Sequence, residues 1–101
     1  MKTCKITKKL TQQIISACNN WMENSHVVAE VIIWGTKRIS INIGIWNLDS
    51  NNCIDTVIKS VCEDFHCEEE FINKRNEIIN KVNTILKENN LEYSEIKDAN
   101  L

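Results

Sequence analysis

Apolar residues recur every three to four positions in the first quarter of the chain: Leu10, Ile14, Ala17, Cys18 and Trp21, with Ile15 and Met22 widening the stripe. This spacing predicts an amphipathic helix over about residues 8–23, capped by Thr7, with its stripe packed on a sheet. The period then changes to two. "SHVVAEVIIW" and "KRISINIGIWNL" flank "GTK", and Ile39, Ile41, Ile43 and Ile45 alternate with Ser40, Asn42, Gly44 and Trp46. The second segment is therefore a strand with one apolar face. The first, about residues 26–34, is β-branched on both faces and reads as the more buried strand. Gly35 supplies the turn of an antiparallel hairpin. A hairpin alone is marginal in water, so helices must cover the isoleucine face.

Helical spacing returns at Ile54, Val57, Ile58, Val61, Cys62 and Phe65, with Asp49 or Ser50 as the cap. Phe71, Ile72, Ile78, Ile79, Val82, Ile85 and Leu86 define a further stripe, interrupted by Arg75 and ending near Glu88 to Asn90. Leu91 and Tyr93 alternate weakly, and residues 91–101 read as a loosely docked tail. The expected order is α-β-β-α-α. This is a single α+β domain over residues 1–101, an antiparallel hairpin covered on one face by helices. The predicted core is Leu10, Ile14, Trp21, Val31, Ile33, Ile39, Ile41, Ile43, Val57, Ile58, Val61, Phe65, Phe71, Ile78, Val82 and Ile85.

Composition narrows the class. A hydrophobic fraction of 43% supports a core, and the absence of proline with only two glycines argues against long loops. "MKTCKITKKL" is basic but lacks the apolar run of a signal peptide, and the longest uninterrupted apolar run, Val31 to Trp34, is far too short for a membrane span. Five cysteines without framework spacing read as reduced thiols in a cytoplasm. The 16 isoleucines, 14 asparagines and 10 lysines, all with A/T-rich codons, point to an A/T-rich genome: a low-GC bacterium, its phage or a large DNA virus.

The formal net charge of −2 hides an asymmetry. Residues 1–48 carry six bases and two acids, and residues 49–101 carry six bases and twelve acids. Between Asp49 and Glu70, seven acids face Lys59 alone. Such a surface disfavours nucleic acid as a direct ligand and favours basic partners.

The densest chemistry lies in "VCEDFHCEEEF", Val61 to Phe71. Cys62 and His66 stand four apart, Cys67 follows, and Cys53 precedes by nine. Zinc sites use paired knuckles, and none is formed here, while Cys62 falls on an apolar stripe. Cys67 beside His66 at a helix start resembles an activated thiol. Glu68, Glu69 and Glu70 oppose that by raising a thiol's pKa, and no glycine-rich oxyanion loop accompanies it. The sequence therefore points to no catalytic residue, no metal ligand and no cofactor. Glutamates in a first helical turn are locally favourable. Glu63 and Asp64, placed by this reading at the end of the preceding helix, are not, which suggests a use outside the fold.

A first helix, a small antiparallel sheet and then two helices joined at an acid-rich corner "E-D-x-x-x-E-E-E-F", with "EEEFIN" its most specific part, resemble small phage anti-CRISPR proteins that inhibit type II-A effector nucleases. The resemblance covers about residues 26–80. It implies an inhibitor without enzymatic activity, acting in the host cytoplasm, whose carboxylates imitate DNA phosphates and occupy the basic site that reads the short DNA recognition motif. Asp49, Asp55, Glu63, Asp64, Glu68, Glu69 and Glu70 match the acidic contacts. The implied partner is a host protein with a basic nucleic-acid-binding surface, such as a CRISPR effector nuclease. The chain departs from the group in its modest net charge, its cysteines and a sheet read as two strands rather than three. The alternatives are a homo-oligomeric, for example dimeric, structural or regulatory module using the Trp46 strand face, and a small Cys/His metal or thiol protein.

Overall fold

The computed structural model describes residues 5–91. The elements follow the order α1 (Lys8–Trp21), β1 (Val27–Trp34), β2 (Arg38–Leu48), β3 (Ile54–Phe65) and α2 (Glu68–Glu88). The three strands form one antiparallel sheet in the order β1-β2-β3. The chain is α+β, as its periodicities require, but the element order is α-β-β-β-α. Residues 54–65 form a strand and not a helix.

The misleading spacing has a physical cause. β3 carries five β-branched residues, Ile54, Thr56, Val57, Ile58 and Val61, which suit a pleated surface. Its register against β2 runs evenly from Ile39↔Phe65 to Ile45↔Lys59 and then slips. Trp46 pairs with Val57, which leaves Ile58 as an extra residue, and Leu48 pairs with Ile54, which leaves a second extra residue between them. Each bulge shifts the side-chain alternation by one position. In the regular part the inward Lys59 and Glu63 are polar and the outward Cys62 is not, and in the bulged part Val57 and Ile58 are both apolar, so residues of two faces together mimic the three-and-four spacing of a helix.

The turn before β3 has a similar ambiguity. The Asp49 carboxylate accepts the N–H of Asn51 at 2.8 Å and of Cys53 at 3.0 Å. A carboxylate taking up N–H groups just downstream is what a helix cap does, and here the same bond closes a hairpin. Asn52 completes the turn at φ 61°, a left-handed conformation that asparagine tolerates.

The core lies on one face of the sheet. Ile39, Ile41, Ile43 and Ile45 of the central strand are fully buried beneath the helices. Across the first hairpin they face Ile33, Val31, Ala29 and Val27. Across the second they face Phe65, Glu63, Val61 and Lys59. α1 covers the β1 side and α2 the β3 side. Thr7 caps α1 through its hydroxyl, which accepts the Leu10 N–H at 3.1 Å. Burying each isoleucine contributes about 1.5–3 kcal/mol.

Twelve of the sixteen predicted core residues are buried. Val31 and Ile58 are only half-buried. Ile33 and Val57 are 51% exposed, because Ile33 sits at the hairpin end of an edge strand and Val57 lies beyond the first bulge. Past Ile45 the sheet narrows to a ribbon of β2 and β3, because β1 begins opposite that residue. Leu91, the last described residue, packs against the core, and the tail expected from there on lies otherwise outside the described residues.

Candidate interaction surface at the strand–helix joint

β3 ends at Phe65, and α2 begins at Glu68 after only two residues. Cys67 is the N-cap, with an extended backbone and no side-chain capping bond. Glu70 supplies the closure instead. Its Oε2 accepts the His66 backbone N–H at 2.9 Å, and both carboxylate oxygens lie 3.0 Å from His66 Nδ1. The His66 side-chain bond is the main reason that the Glu70 carboxyl titrates below its ordinary value, and the nearby Lys74 adds to it. Glu68 and Glu69 complete an all-acidic first turn and are exposed. The positive end of the helix dipole stabilises all three locally.

Glu63 and Asp64 do not lie at a helix end, so no dipole opposes them. They point to opposite faces of β3. Glu63 shares the inner face with Lys59 and Val61, and Asp64 lies on the outer face opposite Ser40. Asp64 Oδ1 accepts the Ser40 hydroxyl at 2.6 Å, and Oδ2 lies 3.9 Å from Arg38 Nη1. Trp34 Nε1 donates to the same Ser40 hydroxyl at 3.0 Å, and the Arg38 guanidinium lies 4.6 Å from the centre of the Trp34 ring. Four side chains from three strands therefore form a connected group on the outer face. Lys74 donates to the Asp64 carbonyl at 3.2 Å. The joint is acidic, with Arg38 and Lys74 threaded into it.

The structure divides the predicted acidic set in two. Glu63, Asp64, Glu68, Glu69 and Glu70 gather at the joint. Asp55 lies at the far end of β3, about 30 Å away at a strand's rise of about 3.3 Å per residue. Asp49 is at that end too, with its carboxylate committed to the turn. The seven residues are thus not one compact surface.

Trp46 shares the outer face with Ser40, Asn42 and Gly44, as alternation requires, but it is half-buried. Its ring folds back along the strand over Gly44, where a Cβ would stand 2.6 Å from Trp46 Nε1. Its backbone is held by His26, whose carbonyl accepts the Trp46 N–H at 2.8 Å and whose Nδ1 lies 2.9 Å from the Trp46 carbonyl oxygen. Trp34, half exposed and pinned by Ser40 and Arg38, is the more open aromatic of that face, and the periodicity did not single it out. Its placement over Ser40 was available from the hairpin register. Its link to Asp64 needed the third strand.

The cysteines are dispersed. Cys18 lies on the buried face of α1, and burial pushes its thiol up to about 11. Cys53 is in the β2–β3 turn. Cys62 lies on the outer face of β3 with its thiol 3.2 Å from Asn42 Oδ1, and Cys67 caps α2. Among the described residues no three His, Cys, Asp or Glu side chains are grouped to hold a metal ion. Nor is any described helix long and apolar enough to cross a membrane. In comparisons with known proteins, no family model, no curated protein and no solved structure matches the chain.

Proposed function

We propose that this protein is a non-enzymatic acidic binding protein, an anti-CRISPR-like inhibitor encoded by a phage or mobile element. Its strand–helix joint occupies a basic nucleic-acid-binding site on a host nuclease complex. The observation that carries this reading is the first turn of α2. Glu68 and Glu69 are exposed, while Glu70 and His66 lock the turn against the end of β3. Carboxylates held on a rigid element meet a lysine- or arginine-lined channel at little conformational cost. The third strand removes one of the three departures from the anti-CRISPR pattern, the two-strand sheet, and adds another, because the acidic corner joins a strand to a helix and not two helices. Support for the inhibitor therefore comes from the acidic turn and not from element order. Only the joint acids serve as contacts in this proposal. Asp55 lies about 30 Å from the joint at a strand's rise per residue, and the Asp49 carboxylate is committed to its turn, so neither is part of the proposed contact.

The test is inhibition of a guide-loaded type II-A effector nuclease. Excess protein at low salt should block target-DNA binding, and salt should weaken the block. Glu68→Lys with Glu69→Lys should abolish the block and leave the fold intact. DNA binding and cleavage that proceed unchanged at saturating protein would remove this function.

A second reading places a protein contact on the outer sheet face. It rests on one observation: both helices cover the opposite face, and Trp34 and Ile32 stand 50% and 44% exposed. Trp34→Ala would abolish binding in that case, and the glutamate variant would not.

A further inference from the structure

β3 is an edge strand of twelve residues, bonded to β2 on one side only. Its free side borders a groove of about 740 Å³ whose opposite wall is α2, at Glu77, Lys81 and Thr84. Four consecutive residues of β3, Lys59 to Cys62, line this groove. Consecutive residues of a strand point to alternate faces, so the groove is bordered by the strand's backbone edge. An added strand needs about 4.8 Å beyond that edge.

The charges on β3 specify which strand fits. Lys59 and Glu63 share the inner face, with Val61 midway between them. Neither side chain has a hydrogen-bond or ion-pair partner among the described residues. A lone lysine on an edge strand ordinarily blocks strand addition. Here a second copy of β3, running antiparallel about Val61, places its Glu63 opposite Lys59 and its Lys59 opposite Glu63. Ser60 then faces Cys62 on the outer side, and Val61 faces Val61. Among registers that keep both copies' helices on one face of a continuous sheet, this is the one that sets Lys59 against Glu63. The five residues it uses lie within the regular part of β3, between the bulge at Ile58 and Phe65.

We propose that the chain forms a two-fold dimer in which β3 pairs with β3 of a second copy about Val61, joining two three-stranded sheets into one of six strands. The interface is isologous, as closed dimers require, and carries two equivalent ion pairs. It takes up Glu63 of the joint but leaves Glu68 and Glu69, on which the inhibition test turns, outside the interface, so the two proposals fail separately.

Sedimentation equilibrium of the full chain under reducing conditions, from micromolar to millimolar concentration, tests this. The wild type should show a monomer–dimer equilibrium. Lys59→Glu alone and Glu63→Lys alone should each weaken dimerisation by roughly tenfold or more, since both cross-strand pairs become like-charged. Combining the two substitutions in one chain should restore the dimer. An equimolar mixture of the two single variants should form a heterodimer that neither forms alone. Circular dichroism of each variant excludes unfolding as the cause. A wild type that stays monomeric throughout would overturn the proposal and make Lys59 a guard of the edge. A dimer indifferent to all four combinations would also overturn it, by placing the contact elsewhere.

Discussion

The rings of Phe65 and Phe71 meet edge to face, with centroids 5.3 Å apart and planes at 81°. One is the last residue of β3 and the other lies in the first turn of α2, so this contact sets the angle at which the acidic turn leaves the sheet. Both rings are fully buried. Phe71→Ala should cost about 3–5 kcal/mol in denaturant unfolding. Phe71→Leu should cost much less, because it keeps most of the volume. Equal losses for the two would mean that volume at this site is unimportant.

The Glu70 bond to His66 predicts an acid-side dependence. The Glu70 pKa is lowered in the folded state relative to its ordinary value of 4.5. The stabilisation is therefore fully present above that value and is lost as pH falls through the lower folded value. Between about pH 5 and pH 3, the wild type should lose more stability than Glu70→Gln, and the two curves should run parallel at neutral pH. Thermal melts over this range check the sign.

Thiol reactivity should separate the cysteines. Cys18 is buried with its pKa pushed up to about 11, and Cys53 and Cys62 are exposed. A thiol-alkylating reagent at neutral pH should label Cys53 and Cys62 quickly and Cys18 only on unfolding. Mass spectrometry of timed digests resolves the sites. Replacing Cys53, Cys62 and Cys67 together should leave partner binding intact, because the three thiols occupy a turn, an outer strand face and a helix cap and share no ligand geometry.

Gly44 makes room for the Trp46 ring. A methyl at that position would stand 2.6 Å from Nε1, so Gly44→Ala must displace the indole. The expected cost is about 1–3 kcal/mol, with a red shift in Trp46 emission, read by difference from a Trp46→Phe background. An unshifted spectrum would show that the ring does not rest there in solution.

Much of this fold could be read from periodicity. The α1 stripe, the buried isoleucines of β2 and the α2 stripe each follow from apolar residues recurring at one spacing, and the first hairpin follows from Gly35 between two apolar segments. β3 could not be read this way. Its apolar residues, drawn from both faces and from the bulged segment, imitate a helical rhythm, and the Asp49 bond that closes its turn is chemically the same as a helix cap. That single misassignment had consequences at the candidate site. It placed Glu63 and Asp64 at a helix end, where they would have been unfavourable. In the sheet, Asp64 is hydrogen bonded to Ser40 and lies near Arg38, so reversing its charge would disturb the outer face rather than relieve a dipole. The acidic start of α2 was legible because glutamates in a first turn need no long-range information. The splitting of Asp49 and Asp55 from the rest depended on the length of β3, which no local pattern reports.

Because every strand pairs with its neighbour in sequence, the sheet is a meander whose two hairpins close over short turns. Loop closure costs little entropy at such lengths, so pairing can zip outward from Gly35 and from Asp49 independently. β2 belongs to both hairpins and is the element on which they must agree. An error in either register would turn its isoleucines toward water. The native alignment is thus expected to be chosen early and locally, which stopped-flow refolding with hairpin-specific substitutions would test. The chain should reach it by rapid, single-exponential refolding, with the helices docking onto a sheet whose apolar face already exists.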